Sequence, residues 1–169
     1  NLERVLGMGC WTPVEYFGEA GGDWRARPAG GGTGSFSVKG PGGIDVRFDW
    51  PLAARYNMLN ATAALAAAHH AGVSPVDTRP AVDSFRSVKR RMEEVARING
   101  ITVIDDFAHH PTAVAQTMSA LRDAGSGRVI CILEPRSNTM RMGVQKEALP
   151  AALALADRAY VYQGPELQW

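Results

Sequence analysis

The chemistry-bearing residues of this 169-residue chain crowd into one stretch, residues 101–111, reading ITVIDDFAHHP. Two carboxylates, Asp105 and Asp106, and two imidazoles, His109 and His110, fall within six positions. Such a set can grip hydroxyl groups, carry a proton or ligate a divalent cation. The β-branched run before it, Ile101 to Ile104, predicts a strand buried on both faces, as in a parallel sheet. A buried unpaired carboxylate is strongly penalised, so both aspartates belong where the strand emerges, at its carboxyl end. Pro111 suits the first turn of a helix, because its backbone angle is pre-set and it wastes no amide donor. Strand, polar loop and helix start together place the four groups in the crevice where open α/β sheets bind ligands. The plainer alternative is a polar loop that caps a helix and leaves its histidines exposed.

Other elements must position that loop. Asn99-Gly100 is a hairpin signal, joining a strand at 92–98 to the one at 101. The basic cluster Lys89, Arg90, Arg91 ends where that first strand begins. Lys89 and Arg90 read as solvated surface, and Arg91 differs only if it reaches the crevice of Asp106. After Pro111, the spacing of Val114, Met118 and Leu121 predicts a helix with one apolar face. VICIL at 129–133 predicts another buried strand, ending in the polar run EPRSNT at 134–139, which should adjoin the first loop. A broken helix follows, restarted near Pro150 with Leu149, Leu153 and Ala156 inward, and then a strand at 159–162. This β-α-β-α-β order, with the hairpin strand before it, indicates an α/β fold with a wound, mostly parallel, Rossmann-like sheet.

The first half is less explicit. GCWTPVE reads as a loop with short apolar anchors. The glycine run at 30–34 lacks the lysine and hydroxyl residue of a phosphate-binding loop and reads as a flexible turn. Alternation at Phe36, Val38, Ile44, Val46 and Phe48 predicts a hairpin or meander with one wet face. Residues 57–71 form the clearest helix, with Asn57 as its cap and Gly72 as a left-handed stop. Asn60 shares a face with Asn57, and two carboxamides so placed could also read the edge of an adenine. His69 and His70 complement the helix dipole. GVSPVDT at 72–78 reads as a linker, so the domains are drawn at 1–75 and 76–169, with a short helix after Thr78 and Pro80.

Composition narrows the class. Eighteen basic against seventeen acidic residues give a net charge of +1, which argues against nucleic acid or a membrane surface as the main partner. No apolar run has the length of a membrane span, and the start does not resemble a signal peptide. Cys10 and Cys131 read as two reduced, core-type thiols of a cytoplasmic protein, and there is no C-x-x-C to support structural zinc. A chain that opens on Asn1 and stops at Trp169, just beyond a strand, is expected to be a fragment.

Four motifs stand in one order: NMLN at 57–60, VKRRME at 88–93, DDFAHHPT at 105–112 and EPRSNTM at 134–140. Together they resemble the Mur ligases, ATP-dependent amide-forming enzymes of bacterial cell-wall synthesis. The resemblance runs from about residue 7 to the end. It implies that residues 1–75 are the end of a central ATPase domain and 76–169 the front of a carboxy-terminal Rossmann-like domain. It also implies that the phosphate loop and the main Mg²⁺ ligands lie outside this sequence, and that this stretch by itself is inactive.

The implied reaction activates the carboxylate of UDP-N-acetylmuramate with ATP as an acyl phosphate, which an incoming amine attacks. Position by position, Asn57 and Asn60 match the adenine site, Asp106 the ribose contact and Arg91 a nucleotide phosphate contact with a catalytic role. His109, His110, Arg136, Asn138 and Thr139 fall on loops that match those facing the incoming peptide, with His109 also catalytic. Tyr56 departs from the histidine usual before the first asparagine. Phe107, and Pro-Arg-Ser-Asn at 135–138 in place of Pro-His-Arg-Tyr, favour a tripeptide acceptor, L-Ala-γ-D-Glu-meso-diaminopimelate, over free L-alanine, hence a role in peptidoglycan recycling. Rival readings are the alanine-adding ligase, a metal-dependent phosphoesterase built on the Asp/His cluster, and a non-catalytic nucleotide-binding module.

Overall fold

The computed structural model describes residues 2–29, 34–50, 54–125, 127–165, 167 and 169, so the glycine turn expected at 30–34 lies almost wholly outside the described residues. The chain forms two compact units, Asn1–Phe85 and Arg86–Trp169. Together they make a mixed α/β structure with parallel and antiparallel strand pairs.

In the first unit, a short helix α1 (Leu2–Leu6) precedes β1 (Phe17–Gly18), β2 (Trp24–Pro28), β3 (Ser35–Gly40) and β4 (Ile44–Asp49). The strands lie in the order β1-β2-β3-β4, with the first pair parallel and the rest antiparallel. The meander read from alternation is present. Phe36 faces Phe48 and Val38 faces Val46, all buried, while Lys39, Asp45 and Arg47 point outward. The Phe36 and Phe48 rings stack at 5.0 Å, and Trp24 completes the same face. Gly40 is required there, because a Cβ would come within 2.6 Å of the Trp24 ring. The GCWTPVE loop has no anchor at its tryptophan, since Trp11 is 92% exposed. Nor is Cys10 a core thiol: it is exposed, whereas Cys131 is buried, and both are free.

Helix α2 (Arg55–His70) lays Met58, Thr62 and Leu65 on the sheet at helical spacing. It begins earlier than the sequence indicates. Ala54 holds the extended cap conformation, so Asn57 stands within the first turn and is not the cap. Gly72 does end it, at φ +87°, with Val73 N–H donating back to the Ala68 carbonyl. The next helix, α3 (Pro75–Ser84), starts at Pro75, not after Thr78, and carries Pro80 inside it. It stays with the first unit, because Trp50 draws the chain beyond it inward: the indole N–H donates to the Phe85 carbonyl at 3.1 Å and the rings meet edge-on at 5.9 Å. The units therefore divide after Phe85, beyond the linker where sequence draws the boundary at 75/76. Turn-forming residues mark a bend, but packing decides which side of it a helix joins.

The second unit opens with the hairpin β5 (Glu93–Ile98) and β6 (Ile101–Asp105), turned by Asn99 and Gly100 at φ +49° and +78°. Helix α4 (Pro111–Asp123) follows, then β7 (Ile130–Leu133), α5 (Asn138–Arg141), α6 (Leu149–Leu153) and β8 (Arg158–Val161). β8 runs parallel to β7, and among the described residues no ladder joins β6 to β7. The two runs read as fully buried strands are not. Ile101 is 66% exposed on β6, and on β7 only alternate residues, Cys131 and Leu133, face the core. An apolar run has no periodicity to say how many of its faces are covered; that depends on which strands and helices pack on it. Val114 and Met118 of α4 do point inward, together with Met140, Leu149 and Ala152.

Candidate functional site: the loop after β6 and the Arg90–Met92 turn

The site is built where β6 runs out. The hairpin register sets Glu93 opposite Asp105, and a bulge between Glu94 and Ala96 lengthens β5 by one residue. The turn just ahead of β5 therefore comes to lie beside Asp106 and Phe107. Asp106 holds the two segments together. One carboxylate oxygen accepts Met92 N–H at 2.9 Å and the other accepts Ala108 N–H at 2.8 Å. In return, Phe107 N–H donates to the Arg90 carbonyl at 2.8 Å. Arg91 is thereby a neighbour of Asp106 along the backbone, since the residue after it is bonded to that carboxylate.

Arg91 is exposed, and its guanidinium makes no ion pair among the described residues. Arg90, read from sequence as plain surface, is engaged on two sides. Its Nε donates to Asp105 at 3.0 Å, and its guanidinium lies 5.2 Å from the Phe107 ring centre. Phe107 in turn meets the His109 ring at 5.1 Å. His109 Nδ1 is 3.0 Å from the Phe107 carbonyl, and since a carbonyl only accepts, Nδ1 carries the proton in this contact. His110 instead caps α4, its Nδ1 accepting Thr112 N–H at 3.2 Å. The two neighbouring histidines thus divide into a helix cap and a ring resting on an aromatic.

A cleft of about 810 Å³ runs along β6, the inner face of α4 and β7. Asp105 and Asp106 line it; His109, His110 and Arg91 do not. On the second polar loop, Ser137 caps α5 by accepting Met140 N–H, and Asn138, Thr139 and Arg136 are exposed, the last 3.6 Å from Glu134. In the first unit, Asn57 is half-buried and Asn60 exposed on α2.

Sequence reasoning read Arg90 as plain surface and Phe107 only as a mark of the acceptor, and missed the contact between them. Counting pairs back from Asn99-Gly100 could have brought them together, had the bulge been visible. No group of three or more histidine, cysteine or acidic side chains gathers to hold a metal among the described residues. The Asp/His cluster is already committed, to Arg90, to backbone amides and to a helix cap, which weakens the phosphoesterase reading.

Nucleotide chemistry fits these residues better. A carboxylate has about four acceptor positions. Asp106 uses two on backbone amides, which fix its orientation and leave others for hydroxyls. An exposed guanidinium such as Arg91's, with no ion pair among the described residues, suits a phosphate.

Residues 90–168 match the family described as Mur ligase, glutamate ligase domain. The chain is 42% identical over its whole length to the UDP-N-acetylmuramate–L-alanyl-γ-D-glutamyl-meso-2,6-diaminoheptandioate ligase of Escherichia coli K12, covering 37% of that protein. Over 97 residues, 57% of this chain and 21% of the other, it is 38% identical to the UDP-N-acetylmuramate–L-alanine ligase of Nitrobacter hamburgensis. A crystal structure of a murein peptide ligase from Psychrobacter arcticus superposes with a TM-score of 0.73 at 35% identity, over 99% of this chain and 36% of that one. The chain thus spans little more than a third of the length of the full-coverage relatives.

Proposed function

We propose, from the match of residues 90–168 to the Mur ligase, glutamate ligase domain family and the 42% identity to a ligase of that family, that the whole protein is an ATP-dependent ligase of peptidoglycan recycling. It joins L-Ala-γ-D-Glu-meso-diaminopimelate to UDP-N-acetylmuramate in the bacterial cytoplasm. The observation that carries the reading is the Asp106 clamp, which ties the Arg91 turn to the DDFAHHP loop within a chain 42% identical to a ligase of that name. The first unit is then the end of the ATPase domain and the second the front of the carboxy-terminal domain.

ATP, when bound, supplies the phosphoryl group that activates the muramyl carboxylate. The chain's own residues bind and orient. Asn57 and Asn60 present carboxamides to the adenine edge. Asp106, held still by two amides, accepts from ribose hydroxyls. Arg91 is a permanent positive charge for a phosphate, and a fixed charge of this kind stabilises charge that develops in the transition state without reorganisation. His109, its Nδ1 engaged by the Phe107 carbonyl, takes a proton from the attacking amine through Nε2. Arg136 grips a peptide carboxylate through two parallel hydrogen bonds, and His110, Asn138 and Thr139 contribute polar contacts to the peptide. Mg²⁺ is expected to be held by residues beyond this set.

The test is phosphate release by the whole protein with UDP-N-acetylmuramate, ATP and either the tripeptide or L-alanine. Release with the tripeptide and little with alanine supports the reading. The reverse would make it the alanine-adding enzyme, and release with neither would leave a nucleotide-binding module. Arg91→Ala should lower kcat/KM for ATP about a hundredfold. Asp106→Ala should lower it about tenfold or more, because a charged acceptor is lost. Unchanged ATP kinetics in both variants would overturn the site.

A further inference from the structure

The turn that carries Arg91 is held in an unfavourable backbone conformation on both sides of it. Arg90 sits at φ +60° and Met92 at +49°, in the left-handed region that non-glycine residues rarely enter. Conformations of this kind persist only where surrounding contacts over-determine them. Here the contacts are numerous. Arg90 N–H donates to the Glu93 carboxylate at 2.7 Å, and Phe107 N–H donates to the Arg90 carbonyl at 2.8 Å. Ser87 Oγ donates to the Arg91 carbonyl at 3.1 Å, Arg91 N–H to Val88 at 3.2 Å, and Met92 N–H to Asp106 at 2.9 Å. Every backbone group from Arg90 N–H to Met92 N–H is thereby committed, while the Arg91 side chain makes no ion pair among the described residues.

Among these restraints, one side chain reaches both segments. Arg90 belongs to the turn by its backbone and to the following loop by its guanidinium, which bonds Asp105 and covers Phe107. Phe107 supports the His109 ring and accepts its Nδ1–H through the carbonyl. A single arginine therefore links Arg91 on one segment with His109 on the other. A planar, permanently charged fork can bond a carboxylate at its edge and cover an aromatic with its face at once, which a lysine ammonium does less well.

We infer that Arg90 is a positioning residue of the ligase site, which aims Arg91 at the nucleotide and holds His109 in register with it through Asp105 and Phe107. The inference rests on the function proposed above. It assigns Arg90 no contact with substrate, so its loss should act on the geometry of others.

The experiment compares Arg90→Ala, Arg90→Lys, Asp105→Asn and Arg91→Ala in the whole protein, reading kcat and KM for ATP, and Tm. Arg90→Ala should lower kcat/KM for ATP on the order of tenfold to a hundredfold, the scale of a misplaced catalytic group. The loss should fall on kcat as well as on KM, with Tm little changed because the side chain is exposed. Arg90→Lys should recover part of the loss and Asp105→Asn reproduce part of it. Wild-type kinetics in Arg90→Ala, with Arg91→Ala impaired, would overturn the positioning role and leave the proposed function intact. An unimpaired Arg91→Ala would remove the site reading on which both depend. If Arg90→Ala lowers Tm sharply, Asp105→Asn decides: normal kinetics there would reduce Arg90 to a structural residue.

Discussion

Asp157 carries a structural load in the second unit comparable to that of Asp106 in the candidate site. Its carboxylate accepts Val129 N–H at 2.6 Å and an Arg122 guanidinium N–H at 2.7 Å, and Arg122 also donates to the carbonyls of Gly127 and Leu155. One carboxylate thus ties the end of α4 to the starts of β7 and β8. The backbone hydrogen bond from Val129 first, and then the Arg122 bond, hold the carboxyl below its ordinary 3.8. A depressed carboxyl stabilises the fold fully above its unfolded value, and that contribution disappears as pH falls through the folded one. Wild type should therefore lose Tm more steeply than Asp157→Asn as pH is lowered below about 4, and parallel Tm curves would refute the role. At this scale the sequence was legible where a residue's chemistry is specific. Two carboxylates at a strand end and a proline at a helix start are where the pattern placed them. It read Arg90 only as solvated surface and did not divide the labour between His109 and His110, because these follow from which neighbouring groups happen to need a partner.

Among the elements, the hairpin of β5 and β6 does most to assemble the site, and its turn is its least replaceable part. Gly100 sits at φ +78° with open space around it, so an added methyl group meets no neighbour and only the backbone cost remains. Gly100→Ala should destabilise the second unit by about 1 kcal/mol, read from the denaturant midpoint at unchanged m-value. A null effect would mean that the turn relaxes without resistance. Asn99-Gly100 announces this hairpin in the sequence, and it is there. The bulge one turn further along β5 is not announced, yet it shifts the pairing by one residue, which in a strand exchanges the two faces. The helix limits failed for a related reason. α2 starts at Arg55 instead of Asn57, because Ala54 supplies the extended cap conformation without supplying a cap side chain. Likewise, the apolar runs of β6 and β7 told of strands but not of cover, since covering is a property of neighbours.

Across the whole molecule, the described core residues form two clusters, each confined to its own unit. The first gathers on Trp24, Phe36 and Phe48, the second on Val114, Met118 and Met140. Phe48→Ala should cost the first unit about 3–5 kcal/mol, while amide exchange protection in α4 and β7 stays at its wild-type level. Loss of protection in both would show that the clusters unfold as one. The α/β class was legible because strands alternate with helices along residues 101–161, and the second unit carries the family match found at 90–168. The unit boundary was not, because a single indole at position 50 recruits the chain around Phe85. The unequal thiols have a practical side. Cys10 is open and Cys131 is enclosed, with burial raising the latter's pKa and so keeping it protonated. A maleimide dye added to the native chain has one attachment point, in the first unit, without any engineered cysteine. The enclosed thiol then serves as a clock for the second unit, since it can take up label only when that core opens.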